Sequence, residues 1–259
     1  MLNYNEPIVM GILNCTPDSF FDGSRKQTDE EILLRARQIV EEGGAIIDIG
    51  AFSTRPGAAE VSEEEELRRM EHALSIVRRE YPDFPISIDT FRPSVARMAV
   101  EQYHADIIND VSEGKYPGIF EEVARLGVPY ILMSVQPDMA TMIECFEREV
   151  AELQRLGVND IILDPGYGFG KEVIEGNYAV LRQQQELKRH FPTLPILAGV
   201  SRKRMVRHLF DCKANDREAL DGTMLVNLVA LQQGATILRV HDVKEAVNTI
   251  KVFKVISNY

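Results

Sequence analysis

Three polar residues stand directly behind apolar runs: Asp89 after Ile86-Ser87-Ile88, Asn109 after Ile107-Ile108, and Asp164 after Ile161-Ile162-Leu163. Two are carboxylates, which accept hydrogen bonds; the third is a carboxamide, which donates and accepts. A buried polar group must meet a partner, water or a ligand, because leaving it unpaired is costly. Any one of them alone is most simply a strand-end cap. Three in the same position are less easily dismissed. A second group is cationic. Ser201-Arg202-Lys203-Arg204 follows the run Ile196–Val200, Arg239 lies near the end of Thr236–Val240 with His241 two residues on, and Arg55 sits in Ser53-Thr54-Arg55-Pro56-Gly57.

Two further stretches carry unusual composition. Asn14 closes the run Ile8–Leu13, and Pro17, Asp18, Ser19, Asp22 and Gly23 then favour turns. Phe20-Phe21 at the tip of that loop need something apolar to cover. Asp164-Pro165-Gly166-Tyr167-Gly168-Phe169-Gly170-Lys171 combines three glycines with aromatics, as suits a backbone that approaches something closely. It lacks the spacing of a Walker A loop. Chemically, the acids and the amide fit a flat heterocycle with amino, ring N–H and carbonyl groups along one edge. A pterin and a guanine-like ring fit equally. The cations suit an anion such as phosphate.

The elements that must position these residues alternate between apolar runs and helical periodicity. Strands are expected at Ile8–Leu13, Ala45–Ile49, Ile86–Asp89, Ile107–Asp110, Tyr130–Met133, Ile161–Asp164, Ile196–Val200 and Thr236–Val240. Capping-box patterns at Thr28/Glu31 and Ser62/Glu65 open the first two helices, and Pro93 opens the third. Further helices are expected at Gly118–Leu126, Ala140–Leu156, Glu175–His190, Asp216–Gln233 and from Val243 to about Ser257, with another starting near Ser201. Near-continuous apolar strands indicate cover on both faces. Eight strand–helix units predict a (β/α)8 TIM barrel, a single domain over residues 1–259, for which about 250 residues is typical. A doubly wound sheet is the competitor, but its glycine fingerprint after the first strand is missing. In a barrel the strand ends share one rim, so Asn14, Asp89, Asn109, Met133, Asp164 and Arg239 would converge there. Asp48, one residue short of its expected strand end, reads as structural. The Glu63–Glu66 run reads as a solvated helix start.

Composition narrows the partners. With 29 Lys+Arg against 40 Asp+Glu the formal net charge is -11, which disfavours nucleic acid and anionic membranes as partners. No apolar run is long enough to span a bilayer. The first seven residues lack the pattern of a leader peptide. Cys15, Cys145 and Cys212 are odd in number and widely spaced, as expected of reduced thiols in the cytoplasm. A homodimer is the expected oligomer, being the commonest.

The segments GILNCTPDSFFDG, IDIGAFSTRPGA, ISIDT, IIND, ILDPGYGFGK, GVSRK and RVHD occur in one order along nearly the whole chain. Together they resemble the dihydropteroate synthases. The resemblance implies a barrel transferase of folate biosynthesis. It would condense 6-hydroxymethyl-7,8-dihydropterin diphosphate with p-aminobenzoate, with Mg²⁺ as cofactor and sulfonamides as inhibitors. Carried over by position, Asp89, Asn109 and Asp164 would hold the pterin edge beside Met133. Lys203 would reach the pterin carbonyl and Arg239 would stack on the ring, so that Asp89, Asp164, Lys203 and Arg239 are the catalytic group. Asn14, as the Mg²⁺ ligand, would meet diphosphate with Arg55 and His241. Thr54, Pro56, Phe169 and Ser201 would line the p-aminobenzoate pocket, with Phe20 closing over it.

The chain departs from the family pattern at three places. Met133-Ser134-Val135-Gln136-Pro137 stands where many members have Met-His-Met, Gly50-Ala51 replaces a paired glycine, and Glu113 replaces a small residue. Other readings compete. A methyltetrahydrofolate–corrinoid methyltransferase would share the acids and amide but has no use for the STRPG, SRK and RVHD cations. A non-catalytic pterin binder would be expected to lose the first two loops. A Schiff-base aldolase would need Lys203 desolvated, which two flanking arginines disfavour.

Overall fold

The computed structural model describes residues 4–15, 29–51 and 61–257. In chain order its elements are β1 (Ile8–Asn14), α1 (Asp29–Glu41), β2 (Ile46–Gly50), α2 (Glu63–Glu80), β3 (Ile86–Asp89), α3 (Pro93–Tyr103), β4 (Ile107–Asp110), α4 (Ile119–Leu126), β5 (Tyr130–Met133), α5 (Met139–Arg155), β6 (Ile161–Asp164), α6 (Glu175–His190), β7 (Leu197–Ala198), α7 (Arg204–Arg207), α8 (Arg217–Gln232), β8 (Ile237–Val240) and α9 (Val243–Ser257). All the strand pairs are parallel, in the order β6-β5-β4-β3-β2-β1-β8-β7. A parallel bridge from Leu163 to Ile196 joins the two ends of that order. The sheet is therefore a closed eight-stranded barrel, as the alternation of elements predicts. β7 is shorter than expected: Pro195, without an N–H, precedes it and Gly199 follows it.

Strand parity divides the apolar residues into two clusters. One set, including Ile47, Ile49, Ile88, Ile108, Leu132, Leu163 and Leu238, packs outward onto helix residues such as Ile39, Met70, Leu74, Val123 and Phe146. The other, Met10, Ile46, Ile107, Ile131, Ile162, Leu197 and Ile237, fills the barrel interior. Side chains alternate along a strand, so the residue two further on also points inward. Those residues are Asp48 after Ile46, Asn109 after Ile107, Met133 after Ile131, Asp164 after Ile162 and Arg239 after Ile237. On β3 the inward pair is Ser87 and Asp89. The interior is thus apolar at its foot and polar at the strand C-terminal mouth.

Local chemistry fixes the helices. Ser62 accepts from Glu65 N at 3.2 Å, half of the expected capping box; the Glu65 side chain turns instead to Arg68 and Arg69. Thr28 lies outside the described residues. The reading of Glu63–Glu66 as wholly solvated is corrected at Glu66. It is 1% exposed and takes hydrogen bonds from Thr90 Oγ1 at 2.6 Å and Arg92 Nη1 at 2.7 Å. Arg92 also donates to Val61 O, tying the start of α2 to the start of α3. The helix expected near Ser201 is corrected too. Ser201 and Arg202 form a turn, with Arg202 at φ 53°, and α7 begins at Arg204.

β1 meets α1 at Gly11. A Cβ there would stand 2.6 Å from Ile39 Cγ2 and 2.7 Å from Cγ1, and the stiff β-branched Ile39 has little freedom to yield. Gly11→Ala is expected to destabilise the barrel by about 1–3 kcal/mol through overpacking, read as a lower urea midpoint at unchanged m-value.

Candidate active site

Arg239 is the hub of the mouth. Its Nε and Nη2 lie 2.7 and 2.6 Å from Asp48 Oδ2, and Nη2 lies 2.5 Å from Asp89 Oδ2. Asp48 is fully buried and Asp89 is 14% exposed at the side chain. Asn109 Nδ2 approaches both Asp48 oxygens at 3.4 Å. Asp48 therefore belongs to the site, and its structural assignment is corrected. It fixes the plane of the Arg239 guanidinium and orients the Asn109 amide. That leaves Asn109 Oδ1 buried with no hydrogen-bond partner among the described residues. Such an atom awaits a donor. Burial and the neighbouring Asp48 push the Asp89 carboxyl up to about 7, against the pull of Arg239.

The opposite wall comes from β6 and β7. Asp164, 5% exposed, accepts from Gly166 N at 2.8 Å through Oδ1. A Cβ placed on Gly199 would lie 4.0 Å from Asp164 Oδ2 and 3.8 Å from Lys203 Nζ. The bare glycine leaves room for both groups to face one space. Lys203 Nζ donates to Tyr167 O at 2.5 Å and stands 4.7 Å from the centre of the Phe169 ring. Desolvation lowers its pKa to about 8, although Asp164 favours the charged form. Asp89 and Arg239 also act on the Lys203 charge, so it shares the mouth with Asp89 and with Asn109, the residue paired to Asp89 in the sheet. Met133, 1% exposed, pairs with Asp164 across β5 and β6.

The third side is the seam between β1 and β8. His241 Nδ1 lies 3.0 Å from Ser201 Oγ, which also accepts from His241 N at 3.1 Å. The last β1–β8 pair is Gly11–Val240. One residue further on, Arg35 of α1 donates to Ile12 O at 3.0 Å and to His241 O at 2.6 Å. It bridges the two strands where their ladder ends, beneath Asn14 and His241. Arg35 belongs to no sequence motif. Asn14 Oδ1 lies over Gly50, 3.5 Å from where a Cβ would stand, and Asp89 Oδ2 is 3.7 Å from the same point. An amide oxygen beside an open glycine is the kind of donor Mg²⁺ accepts, since that ion takes few protein ligands and keeps its waters; Asp89 Oδ2 is already paired with Arg239.

Of the basic run after β7, only Lys203 turns to the mouth. Arg202 pairs with Asp242 at 2.7 and 2.8 Å and donates to Ala214 O, and Arg204 is exposed on α7. The case against a desolvated Lys203 is thereby corrected: its flanking arginines do not keep it in water. Phe20, Thr54, Arg55 and Pro56 lie outside the described residues.

Residues 10–241 match the family model for pterin binding enzymes. The chain is 39% identical to the dihydropteroate synthase of Escherichia coli K12 across 97% of its own length and 92% of that protein. It is 37% identical to that of Bacillus subtilis 168, over 99% and 91%. The chain belongs to the dihydropteroate synthase family. Among solved dihydropteroate synthases, that of Xanthomonas albilineans with 4-aminobenzoic acid superposes with a TM-score of 0.90 at 35% identity, covering 100% of this chain and 96% of that one. The Yersinia pestis enzyme in a sulfonamide complex gives 0.90 at 36%, over 100% and 97%. A further X. albilineans structure holds 7,8-dihydropteroate and gives 0.87 at 33%, over 100% and 96%. Against this dihydropteroate synthase background, the acids, amide, lysine and arginine expected at the mouth are all brought together there.

The pKa of Lys203 has a measurable consequence. Its folded value of about 8 lies below the ordinary 10.5, so the folded chain holds fewer protons in that interval and gains stability as pH rises through it. Lys203→Met is expected to stabilise the fold at pH 7, where the buried ammonium costs most. The gain should fade between pH 8 and 10.5, checked by urea unfolding at a series of pH values.

Proposed function

We propose that this chain is a dihydropteroate synthase, joining 6-hydroxymethyl-7,8-dihydropterin diphosphate to p-aminobenzoate with release of diphosphate. One observation carries the reading. The Asn109 amide oxygen is buried without a hydrogen-bond partner among the described residues, in the inward-facing ring that also holds the Asp48–Arg239–Asp89 ion triad, Asp164 and Lys203. A pterin edge supplies the missing donors: a ring N–H or amino group for Asn109 Oδ1 and further N–H groups for Asp164. Its carbonyl accepts from Lys203. Arg239, held edge-on by two carboxylates, offers its flat face for stacking.

The reaction breaks the bond between the pterin methylene and the diphosphate oxygen, with the electron pair leaving on oxygen. The amine lone pair of p-aminobenzoate forms the new C–N bond and its proton passes to solvent or to the departing anion. Positive charge developing on the pterin is stabilised by Asp89 and Asp164 inside a water-poor mouth. His241, set by Ser201 and Arg35, faces the diphosphate. Asn14 would hold a Mg²⁺ ion, which would supply charge neutralisation for the leaving diphosphate. By family resemblance alone, Arg55 would serve the anion site, Phe20 would cover the mouth, and Thr54, Pro56, Phe169 and Ser201 would receive the aminobenzoate, where sulfonamides compete. A cytoplasmic location suits the free thiols: burial raises Cys15 to about 12 and Cys145 to about 11, keeping both protonated. A homodimer suits the exposed apolar residues Leu225 and Val229 on α8 and Val252 and Val255 on α9.

Diphosphate release should require the pterin diphosphate, p-aminobenzoate and Mg²⁺ together; release without the amine would refute the condensation. Asp164→Asn, nearly isosteric, should lower kcat/KM by about 100-fold or more with an unchanged melting temperature. Arg239→Ala is the less clean test. It strands two carboxylates, one of them fully buried, and should cost the fold about 3–5 kcal/mol, measurable by denaturation.

A further inference from the structure

Two departures from the family pattern meet in the structure. Asp110 closes β4 and accepts from Ser112 N at 2.6 Å and Gly114 N at 3.0 Å, folding the turn that presents Glu113. Glu113 is 1% exposed and sits at φ 62°, a left-handed conformation that a non-glycine residue keeps only when its surroundings enforce it. Its carboxylate supplies the enforcement. It accepts from Ser134 Oγ at 3.1 Å, Val135 N at 2.9 Å and Gln136 Nε2 at 3.0 and 3.1 Å, and it pairs with Lys115. One buried acid thus grips three consecutive residues after β5, in the segment that lacks the family's histidine. Burial pushes this carboxyl upward, but the hydrogen bonds from Lys115, Gln136 and Val135 outweigh it and hold the group below its ordinary range.

The loop after β6 rests on the same segment. Gly166 and Gly170 have φ of 67° and 63°, and a Cβ on either would stand on the carbonyl oxygen of Ser134 or Val135. Lys171 Nζ stitches the contact, donating to Ser134 O at 3.4 Å and to Gly166 O and Phe169 O at 3.1 Å. Phe169 lies within 4.7 Å of the Lys203 amine, which in turn donates to Tyr167 O.

We propose that Glu113 is a positioning residue: by gripping Ser134–Gln136 it sets the seat of the 166–171 loop, and so the placement of Phe169 against the aromatic amine. This rests on the synthase reading for its kinetic readout alone. The test compares Glu113→Gly with Glu113→Gln. Glycine suits the left-handed backbone but removes the grip, whereas glutamine keeps an acceptor oxygen. Glu113→Gly should raise KM for p-aminobenzoate about tenfold while kcat and the pterin diphosphate KM change less than about threefold, and Glu113→Gln should restore most of the loss. Hydrogen exchange at 166–171 should quicken in the glycine variant, with β1–β3 unchanged. That measurement needs no activity, so an inactive wild type would remove the function and leave this arm standing. If the glycine variant fails to fold, Gln136→Ala should show the same effects more weakly. Wild-type aminobenzoate KM in the folded variant, loosening confined to 134–136, or an equal loss in every kinetic constant would each overturn the proposal.

Discussion

Everything at the mouth of this barrel depends on one buried electrostatic arrangement: two carboxylates, Asp48 and Asp89, sharing the guanidinium of Arg239. Removing such charges from water costs several kcal/mol per ion, and good geometry recovers that cost only in part. The arrangement is therefore a poor choice for stability alone. Its return is orientation. The plane of Arg239 is fixed, and the amide of Asn109 is turned so that its oxygen stays unmatched. A flat ring that brings N–H donors satisfies both conditions at once.

The same economy recurs around the rim. Lys203 carries a desolvated amine. Arg35 spends its guanidinium on two backbone carbonyls. Glu113 holds a strained turn to anchor a neighbouring loop. Each places a costly group where an ordinary core would have an aliphatic side chain. The apolar lower barrel, from Met10 to Ile237, supplies the rigidity that makes these placements persist.

Much of this was legible in the sequence, because parallel strands covered on both faces read as short β-branched runs with a clean end. Ile107-Ile108-Asn109, Ile162-Leu163-Asp164 and Ile237-Leu238-Arg239 share one pattern: an inward isoleucine, an outward aliphatic, an inward polar residue. Ile46-Ile47-Asp48 has the same pattern, and parity alone would have placed Asp48 inside the barrel. Ile49 continues the apolar run and masks that parity, yet Ile49 points to the helices. Other residues had no local signature. Arg35 lies on a regular amphipathic helix, and its partners are 23 and 206 residues away. Glu66 sits among three other glutamates, and only the packing of α2 against β3 and α3 singles it out. The run Ser201–Arg204 misled because charge was read as proximity, whereas a left-handed Arg202 splits the run between the mouth and the outer wall.

The seam between β1 and β8 bears on how the chain reaches its native state. Arg239 meets Asp48 and Asp89 across 191 and 150 residues of sequence. Until the eighth strand arrives, an incomplete barrel holds two acids with no counter-ion between them and an open edge on each side. The native mouth gains its counter-ion only where the last strand docks. Contacts of such long range are slow to form. The final strand is thus an electrostatic latch for the two acids.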